Sequence, residues 1–293
     1  MPKGVPKAGF RKTKNFFKGG SKKSSVSNSP VRVIESETTE TDAQIRVKLT
    51  ERFDALENMS TATFDGKNRA LIVSGPAGVG KSYSVMKMAE AQAKNKLVTV
   101  IRGFVRPTGL YKTLYENRFK HCVVVFDDAD SIFSDDISLN ILKTACDMTR
   151  TRTLSWLAET NMVDEAEEKV PRSFEFEGSI IFITNYDFDW LIARENKLSP
   201  HFQAMISRSL YLDLGMKSQR DYLVRIQQVV GTGMLSDAGM SEDESDMIMK
   251  FIDKNCDKLR ELSLRMVVKL AQIYRINPAK FQSNAAMTCF NSK

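Results

Sequence analysis

The chain has 293 residues, of which 42% are hydrophobic and 27% charged, and its formal net charge is +7. This length and apolar content allow one large or two modest domains with a buried core. No apolar run is long enough for a membrane span or a signal peptide, and the four cysteines lack C-x-x-C spacing. We therefore expect a cytoplasmic protein with no membrane partner. Two histidines leave almost nothing for a His/Cys metal site or a His-based catalytic triad.

The positive charge belongs to the first 34 residues, which carry nine Lys or Arg and no Asp or Glu. The rest of the chain has 34 basic and 36 acidic residues. Because Gly, Ser and Pro accompany the lysines, we expect residues 1–55 to form a disordered basic leader and linker. Phe10, Phe16 and Phe17 lie among the charges, and such a mixture can bind nucleic acid through phosphates and base stacking. A solubilising leader fits the same composition, so both interpretations stay open.

Between residues 56 and 216, short β-branched runs alternate with longer segments of helical periodicity, which predicts an α/β domain. Five parallel strands should form a sheet with helices on both faces. The predicted strands are Ala70–Ser74, Val98–Arg102, Cys122–Asp127, Ser179–Thr184 and Leu210–Leu214, and the predicted helices between them are Lys81–Lys94, Pro107–Phe119, Ile137–Thr149 and Phe188–Arg208. Residues 217–293 predict a separate helical segment and a tail, with helices that start near Ser218, Glu242 and Ser263 and a stop at Pro278.

The most specific motif directly follows the first predicted strand. It reads Gly75-Pro76-Ala77-Gly78-Val79-Gly80-Lys81-Ser82, a full match to G-x-x-x-x-G-K-[ST] between a strand and a helix. In this pattern the glycines turn backbone N–H groups toward phosphates, the lysine reaches the β and γ oxygens, and the hydroxyl ligates Mg²⁺. These eight residues therefore predict a site for a nucleoside triphosphate and Mg²⁺.

Polar side chains end two further predicted strands. Asp127 can hold Mg²⁺ through water, and Asp128 can polarise the attacking water. Asn185 follows the fourth strand, where its amide can touch the γ-phosphate and the same water. Tyr186 follows in place of the lysine of the guanine-selective Asn-Lys-x-Asp motif, which disfavours guanine and favours ATP. For Asp130 we expect a helix-capping or solvated carboxylate.

These motifs, followed by Met205-Ile206-Ser207-Arg208-Ser209 and by Leu262-Ser263-Leu264-Arg265, resemble the AAA+ ATPases between residues 61 and 274. The resemblance implies ATP hydrolysis with Mg²⁺ in a ring or spiral of identical subunits. It implies that Gly75–Ser82 is Walker A and that Asp127 and Asp128 form Walker B, with a catalytic role for Asp128. The family usually has Glu at the second carboxylate, so the shorter Asp128 bears on the rate rather than on the reaction type.

The resemblance also assigns three residues outside the Walker motifs. Asn185 matches sensor 1, a catalytic position. Arg208 matches the arginine finger, which acts on the nucleotide of a neighbouring subunit, and Arg265 matches sensor 2, which contacts the nucleotide from a lid helix. The alternative for Arg208 is a surface charge at a helix end, but its place just before the fifth predicted strand favours the finger. The alternative for Arg265 is a salt-bridged residue of the lid.

Two segments are candidates for contact with a polymer. Residues 149–178 predict a hairpin insertion similar to the pre-sensor-1 hairpin of some AAA+ groups, either gripping a polymer or lying solvated with Trp156 packed inward. After the second strand, Phe104 or Tyr111 can contact a threaded chain beside Arg102 and Arg106, although helical spacing favours core packing for Tyr111.

A stand-alone module of this size resembles ATPases common in tailed-phage genomes and also helicase loaders. That resemblance implies remodelling or loading on nucleic acid in viral or phage-like DNA metabolism. Two alternatives stay open: a chaperone-like ATPase that remodels proteins, and an ATP-controlled assembly scaffold.

Overall fold

The computed structural model describes residues 38–92, 97–158, 162–163 and 169–291. The expected disorder and nucleic-acid contacts of the basic leader up to residue 37 therefore lie outside the described residues, as does the charged segment 164–168 of the insertion.

A long helix, α1 (Asp42–Phe64), precedes the sheet, so the prediction of a linker up to residue 55 is wrong from residue 42 onward. A capping box starts this helix: the Thr41 hydroxyl accepts from the Gln44 amide, and the Gln44 side chain accepts from the Thr41 amide. Its buried apolar residues recur every three or four positions, at Ile45, Leu49, Phe53 and Leu56. The helix is therefore part of the folded core.

The strands of the described chain are, in order, β1 (Ala70–Ser74), β2 (Leu97–Arg102), β3 (Cys122–Asp127), β4 (Thr153–Ser155), β5 (Ser173–Glu175), β6 (Ser179–Thr184) and β7 (Leu210–Asp213). Five of them form one parallel sheet in the spatial order β2-β3-β6-β1-β7. The predicted five-stranded parallel sheet is confirmed. Its carboxyl ends meet at one edge, where Asp127 is in register with Arg102 on one side and Ile183 on the other.

The helices that follow α1 are α2 (Lys81–Gln92), α3 (Pro107–Glu116), α4 (Asp136–Ala145), α5 (Phe188–Ala193), α6 (Ser199–Arg208), α7 (Gln219–Gly231), α8 (Met234–Asp237), α9 (Glu242–Asn255), α10 (Leu264–Ile276) and α11 (Phe281–Cys289). The single helix predicted over 188–208 is two helices. Glu195 has a φ of +50°, outside the helical region, and the Asn196 side chain accepts the amides of Leu198 and Ser199 at the start of α6.

The sheet separates two hydrophobic cores, because successive strand side chains point to opposite faces. Leu71 and Val73 share one core with α1, α2 and the C-terminal helices. Ala70 and Ile72 share the other with α3 to α6 and the β4–β5 hairpin. The C-terminal helices therefore pack on the same core as α1 and one face of the sheet.

The C-terminal helices begin where their capping residues predict. Ser218 and Ser263 accept first-turn amides of α7 and α10. Pro278 follows the end of α10, but one turn of 3₁₀ helix and α11 then continue the chain, which the sequence analysis did not predict. Among the residues that the structure describes, no helix is long and apolar enough to cross a bilayer.

The insertion contains the predicted hairpin, formed by antiparallel pairing of β4 with β5. The ring centroid of Trp156 lies 5.8 Å from that of Tyr111. Tyr111 is fully buried, so its core role is confirmed and its contact with a threaded chain is excluded in this conformation. Phe104, in contrast, is 78% exposed.

Candidate active site

The glycine loop, residues 75–82, connects β1 to α2 at the carboxyl edge of the sheet. Gly78 and Gly80 have φ values of +74° and +101°, in the left-handed region that favours glycine. A Cβ placed on Gly78 would lie 2.7 Å from the Cβ of Ser263, the capping residue of α10. The Leu264 amide donates to the Gly78 carbonyl at 2.8 Å, so α10 contacts the loop directly.

The Lys81 ammonium lies inside the loop. It donates to the carbonyls of Gly75 at 2.8 Å and Pro76 at 2.7 Å, and to Asn185 Oδ1 at 2.9 Å. Burial lowers the pKa of Lys81 to about 8, against the opposing effect of nearby carboxylates such as Asp128. A buried cation whose direct acceptors are neutral is suited to an incoming anion, and a phosphate fits this position.

Ser82 and Asp127 meet beside the loop. The Ser82 hydroxyl donates to Asp127 Oδ1 at 2.6 Å, and Arg102 Nε donates to Oδ2 at 2.9 Å. Asp127 is 4% exposed. Hydroxyl and carboxylate oxygens are ligands that Mg²⁺ prefers, and two protein oxygens leave positions for water and phosphate, so this pair fits the ion.

A metal site built by protein side chains alone is a different arrangement. Within the described ranges, no group of three or more His, Cys, Asp or Glu side chains is placed to hold a metal.

Asn185 joins the second carboxylate to the loop lysine. Its Nδ2 donates to Asp128 Oδ1 at 3.0 Å, while its Oδ1 accepts from Lys81. Asp128 itself has a φ of +52°, in the left-handed region that aspartate and asparagine adopt more readily than most other residues, and its amide donates to the Ile183 carbonyl at 3.0 Å. The structure thus places Asp128, Asn185 and Lys81 together, although they are far apart in sequence.

Asp130 is neither the solvated carboxylate nor the helix cap that we expected. Its Oδ1 accepts from the Thr184 hydroxyl at 2.5 Å, and that hydroxyl accepts from the Tyr186 amide at 3.0 Å. Burial raises the pKa of Asp130 despite this hydrogen bond. The contact holds the turn after β6 that carries Asn185, which explains why this carboxylate is turned inward.

A cavity of about 1250 Å³ opens beside the loop, with walls from α1, α2, α7 and α10. Arg265 lines it, and its Cγ would lie 3.8 Å from a Cβ on Gly78, as its predicted position near the nucleotide requires. Arg225 of α7 lines the same cavity and was missed by the sequence analysis. In the sequence it is one arginine in an amphipathic helix, a pattern that carries no signal for a site.

The structure does not bring Arg208 to the loop of its own chain. It lies at the end of α6, just before the amino end of β7, whereas the loop follows the carboxyl end of β1. Its Nε lies 3.3 Å from Asp147 Oδ2, and its Nη1 donates to the Ala204 carbonyl at 3.0 Å. A role for Arg208 at a nucleotide therefore requires a neighbouring subunit.

Comparisons with known proteins point to one family. Residues 71–184 match the sequence pattern of the ATPase family associated with various cellular activities, abbreviated AAA. The chain is 36% identical over 257 residues to a protein of Enterobacteria phage T4, described as "Uncharacterized 36.7 kDa protein in nrdC-mobD intergenic region". The match covers 85% of this chain and 76% of the phage protein.

Two solved structures are similar at greater distance. The Thermotoga maritima RuvB Holliday junction branch migration motor is 14% identical, with a TM-score of 0.43, over 83% of this chain and 64% of that one. NtrX from Brucella abortus in complex with ADP is 12% identical, with a TM-score of 0.45, over 84% and 52%. At such scores the two likenesses carry no inference about activity.

Proposed function

The chain belongs to the AAA family of P-loop ATPases, and we propose that it binds ATP at the glycine loop and hydrolyses it to ADP and phosphate. One observation carries the proposal. Hydrogen bonds join the loop to the ends of two neighbouring strands. Ser82 donates to Asp127 at the end of β3, and Lys81 donates to Asn185 after β6, which in turn donates to Asp128. An anion-binding loop, a magnesium-binding pair and a carboxylate near the expected γ-phosphate are the parts that phosphoryl transfer needs.

Each group has a defined task in this proposal. The loop amides and Lys81 bind the phosphates, and Arg265 adds a positive charge from α10. Mg²⁺, when held by Ser82 and Asp127, would neutralise charge on the β- and γ-phosphate oxygens. Asp128 accepts a proton from the water whose oxygen attacks the γ-phosphorus, as the bond to the bridging oxygen breaks.

Asn185 is the positioning link between these parts. Since its amide contacts both Lys81 and Asp128, it fixes the attacking water relative to the phosphate that Lys81 binds. Asp130 supports it by holding the same turn through Thr184.

We also propose a homo-oligomer in which Arg208 acts across the interface. Its ion pair with Asp147 joins two side chains that are about one third exposed, and such pairs contribute roughly 0–1 kcal/mol. The pair can therefore exchange for a neighbour's γ-phosphate at little cost.

Nucleotide binding and phosphate release test the core of this proposal. Wild-type protein should bind a fluorescent ATP analogue and release phosphate from ATP with Mg²⁺. Lys81→Ala should lose binding, because the buried site then lacks its central cation. Lys67→Ala is the matched control, since Lys67 pairs with Asp65 at the surface. Wild-type protein that neither binds nor hydrolyses ATP would contradict the proposal.

For the substrate, we propose nucleic acid, bound in the cytoplasm, which is the host cytoplasm if this chain is viral. Support comes from the exposed Phe104 and Arg106, since an aromatic ring beside an arginine suits stacking and phosphate contacts, whereas the nearby Arg102 pairs with Asp127. Single-stranded DNA, duplex DNA or RNA should stimulate ATP hydrolysis, and Phe104→Ala should reduce that stimulation without abolishing basal turnover. Stimulation by an unfolded protein alone would favour the protein-remodelling alternative, and no stimulation by any polymer the scaffold.

A further inference from the structure

Arg225 is a second arginine at the glycine loop, contributed by α7 rather than α10. Its Nε donates to the Val79 carbonyl at 3.3 Å, and its Nη2 would lie 3.5 Å from a Cβ on Gly80. The guanidinium carbon lies 3.3 Å from the ring centroid of Phe53, a buried residue of α1. The guanidinium is therefore fixed between α1 and the loop, on the wall of the cavity.

Within the described part of the chain, the charge of Arg225 has no direct counterion. Among the described residues, none of the ion pairs involves Arg225. Arg220, five residues earlier on the same helix, pairs with Asp42 at the surface. Burial lowers the pKa of Arg225 to about 10, with Glu57 as the opposing carboxylate. A partly buried cation whose described contacts are a carbonyl and an aromatic ring lowers stability when no anion is bound.

We propose that Arg225 binds the phosphate chain of the nucleotide. This inference rests on the proposed binding of ATP at the loop and adds a contact that the sequence motifs do not contain. The position supports it: Val79 and Gly80 belong to the part of the loop that leads into Lys81, where backbone amides face the phosphates. Phe53 holds the guanidinium in place through a cation–π contact, so α1 serves the site without touching phosphate itself.

Stability without nucleotide and affinity for phosphate distinguish a phosphate-binding role of Arg225 from a purely structural one. If Arg225 only tied α7 to the loop, its removal would lower stability and leave phosphate affinity intact. If the role of Arg225 is to bind an anion, replacement by an apolar side chain of similar length should not lower the stability of the nucleotide-free protein. Loss of a charge-assisted hydrogen bond to phosphate should weaken ADP binding about tenfold to a hundredfold.

The test compares Arg225→Met with wild type and with Arg220→Met as the matched control on the same helix. Thermal unfolding without nucleotide and titration with a fluorescent ADP analogue are the two measurements. We expect Arg225→Met to unfold no lower than wild type yet bind ADP about tenfold or more weakly, whereas Arg220→Met should bind normally. Inorganic pyrophosphate has no base, so its binding reports on the phosphate contacts alone. It should displace the analogue from wild type and correspondingly less well from Arg225→Met.

Four outcomes decide the inference. Unchanged ADP affinity in Arg225→Met would overturn the inference. Weakened ADP binding with unchanged pyrophosphate binding would also overturn it, because Arg225 would then contact the base. Lower stability with normal affinity would make it a structural tie. No ADP binding by wild type would overturn the proposed function as well. Arg225→Gln keeps a donor for Val79 without the charge and supplies the same comparison if the Met variant does not fold.

Discussion

Gly78→Ala tests the contact between the glycine loop and α10. The residue has a φ of +74°, and the new Cβ would lie 2.7 Å from the Cβ of Ser263. Ser263 accepts the Met266 amide at 3.1 Å as the cap of α10, and the neighbouring Leu264 amide donates to Gly78 at 2.8 Å. The added methyl group therefore cannot fit unless the start of α10 or the loop moves.

The magnitude follows from two terms. A left-handed conformation costs an alanine about 1–2 kcal/mol, and overpacking against a fixed neighbour costs about 1–3 kcal/mol. Gly78→Ala should therefore lower the free energy of unfolding by about 2–5 kcal/mol. Gly103 is the matched control, because its φ is +85° and, apart from Gly103 and its two chain neighbours, no atom of the described residues lies within 4 Å of its added Cβ. Gly103→Ala should show only the first term, about 1–2 kcal/mol.

Urea unfolding of both variants and titration with a fluorescent ADP analogue measure these effects. We expect Gly78→Ala to be the less stable variant and to bind ADP more weakly, because the loop that faces the phosphates is displaced. Equal stability of the two variants would refute the close packing of α10 on the loop. Normal ADP affinity in a destabilised Gly78→Ala would refute the assignment of this loop to the phosphates.

The remaining predictions concern the α1–α7 contact, the subunit interface and the leader. Burial raises the pKa of Asp221, but hydrogen bonds from Lys48 and two backbone amides outweigh it and hold the pKa below its usual value. The ionised form therefore stabilises the fold above the unfolded-state pKa. Asp221→Asn should cost about 3 kcal/mol in urea unfolding at pH 7, and the difference from wild type should shrink as the pH falls through the folded-state pKa. Arg208→Ala should bind ATP yet lose most turnover, and mixing it with Lys81→Ala protein should restore some activity; no rescue in co-assembled mixtures would count against action in trans. Deletion of residues 1–34 should preserve basal hydrolysis. The slope of log affinity for DNA against log salt should become shallower, by roughly 0.7–0.9 for each phosphate that the leader neutralises. An unchanged slope would show that the leader does not bind DNA phosphates.

The sheet and the Walker residues could be predicted because their signals are local. Each central strand is an apolar run buried on both faces, so Cys122–Asp127 and Ser179–Thr184 were predicted with the bounds that the structure has. Parallel pairing then brings the polar residues after these strands to one edge. The meeting of Asp128 with Asn185 follows from that topology.

The parts that could not be predicted depend on contacts between distant segments. The start of α1 was assigned to the leader because of the composition of the preceding residues. Ile45 and Leu49 have helical spacing, and both are fully buried in one core with residues of the C-terminal helices. Arg225 reaches the carbonyl of Val79 from 146 positions away. No local pattern marks that approach, because it exists only once α7 has packed beside the loop.

Single-turnover hydrolysis by Asp128→Asn tests the central claim most directly. The substitution keeps the shape of the side chain, and asparagine tolerates the φ of +52° at this position, so the backbone need not change. Asp243→Asn, an exposed position on α9, is the control. We predict that Asp128→Asn binds ATP within about twofold of wild type and hydrolyses it about a hundredfold more slowly or worse. Hydrolysis by Asp128→Asn at the wild-type rate would contradict the account of this site.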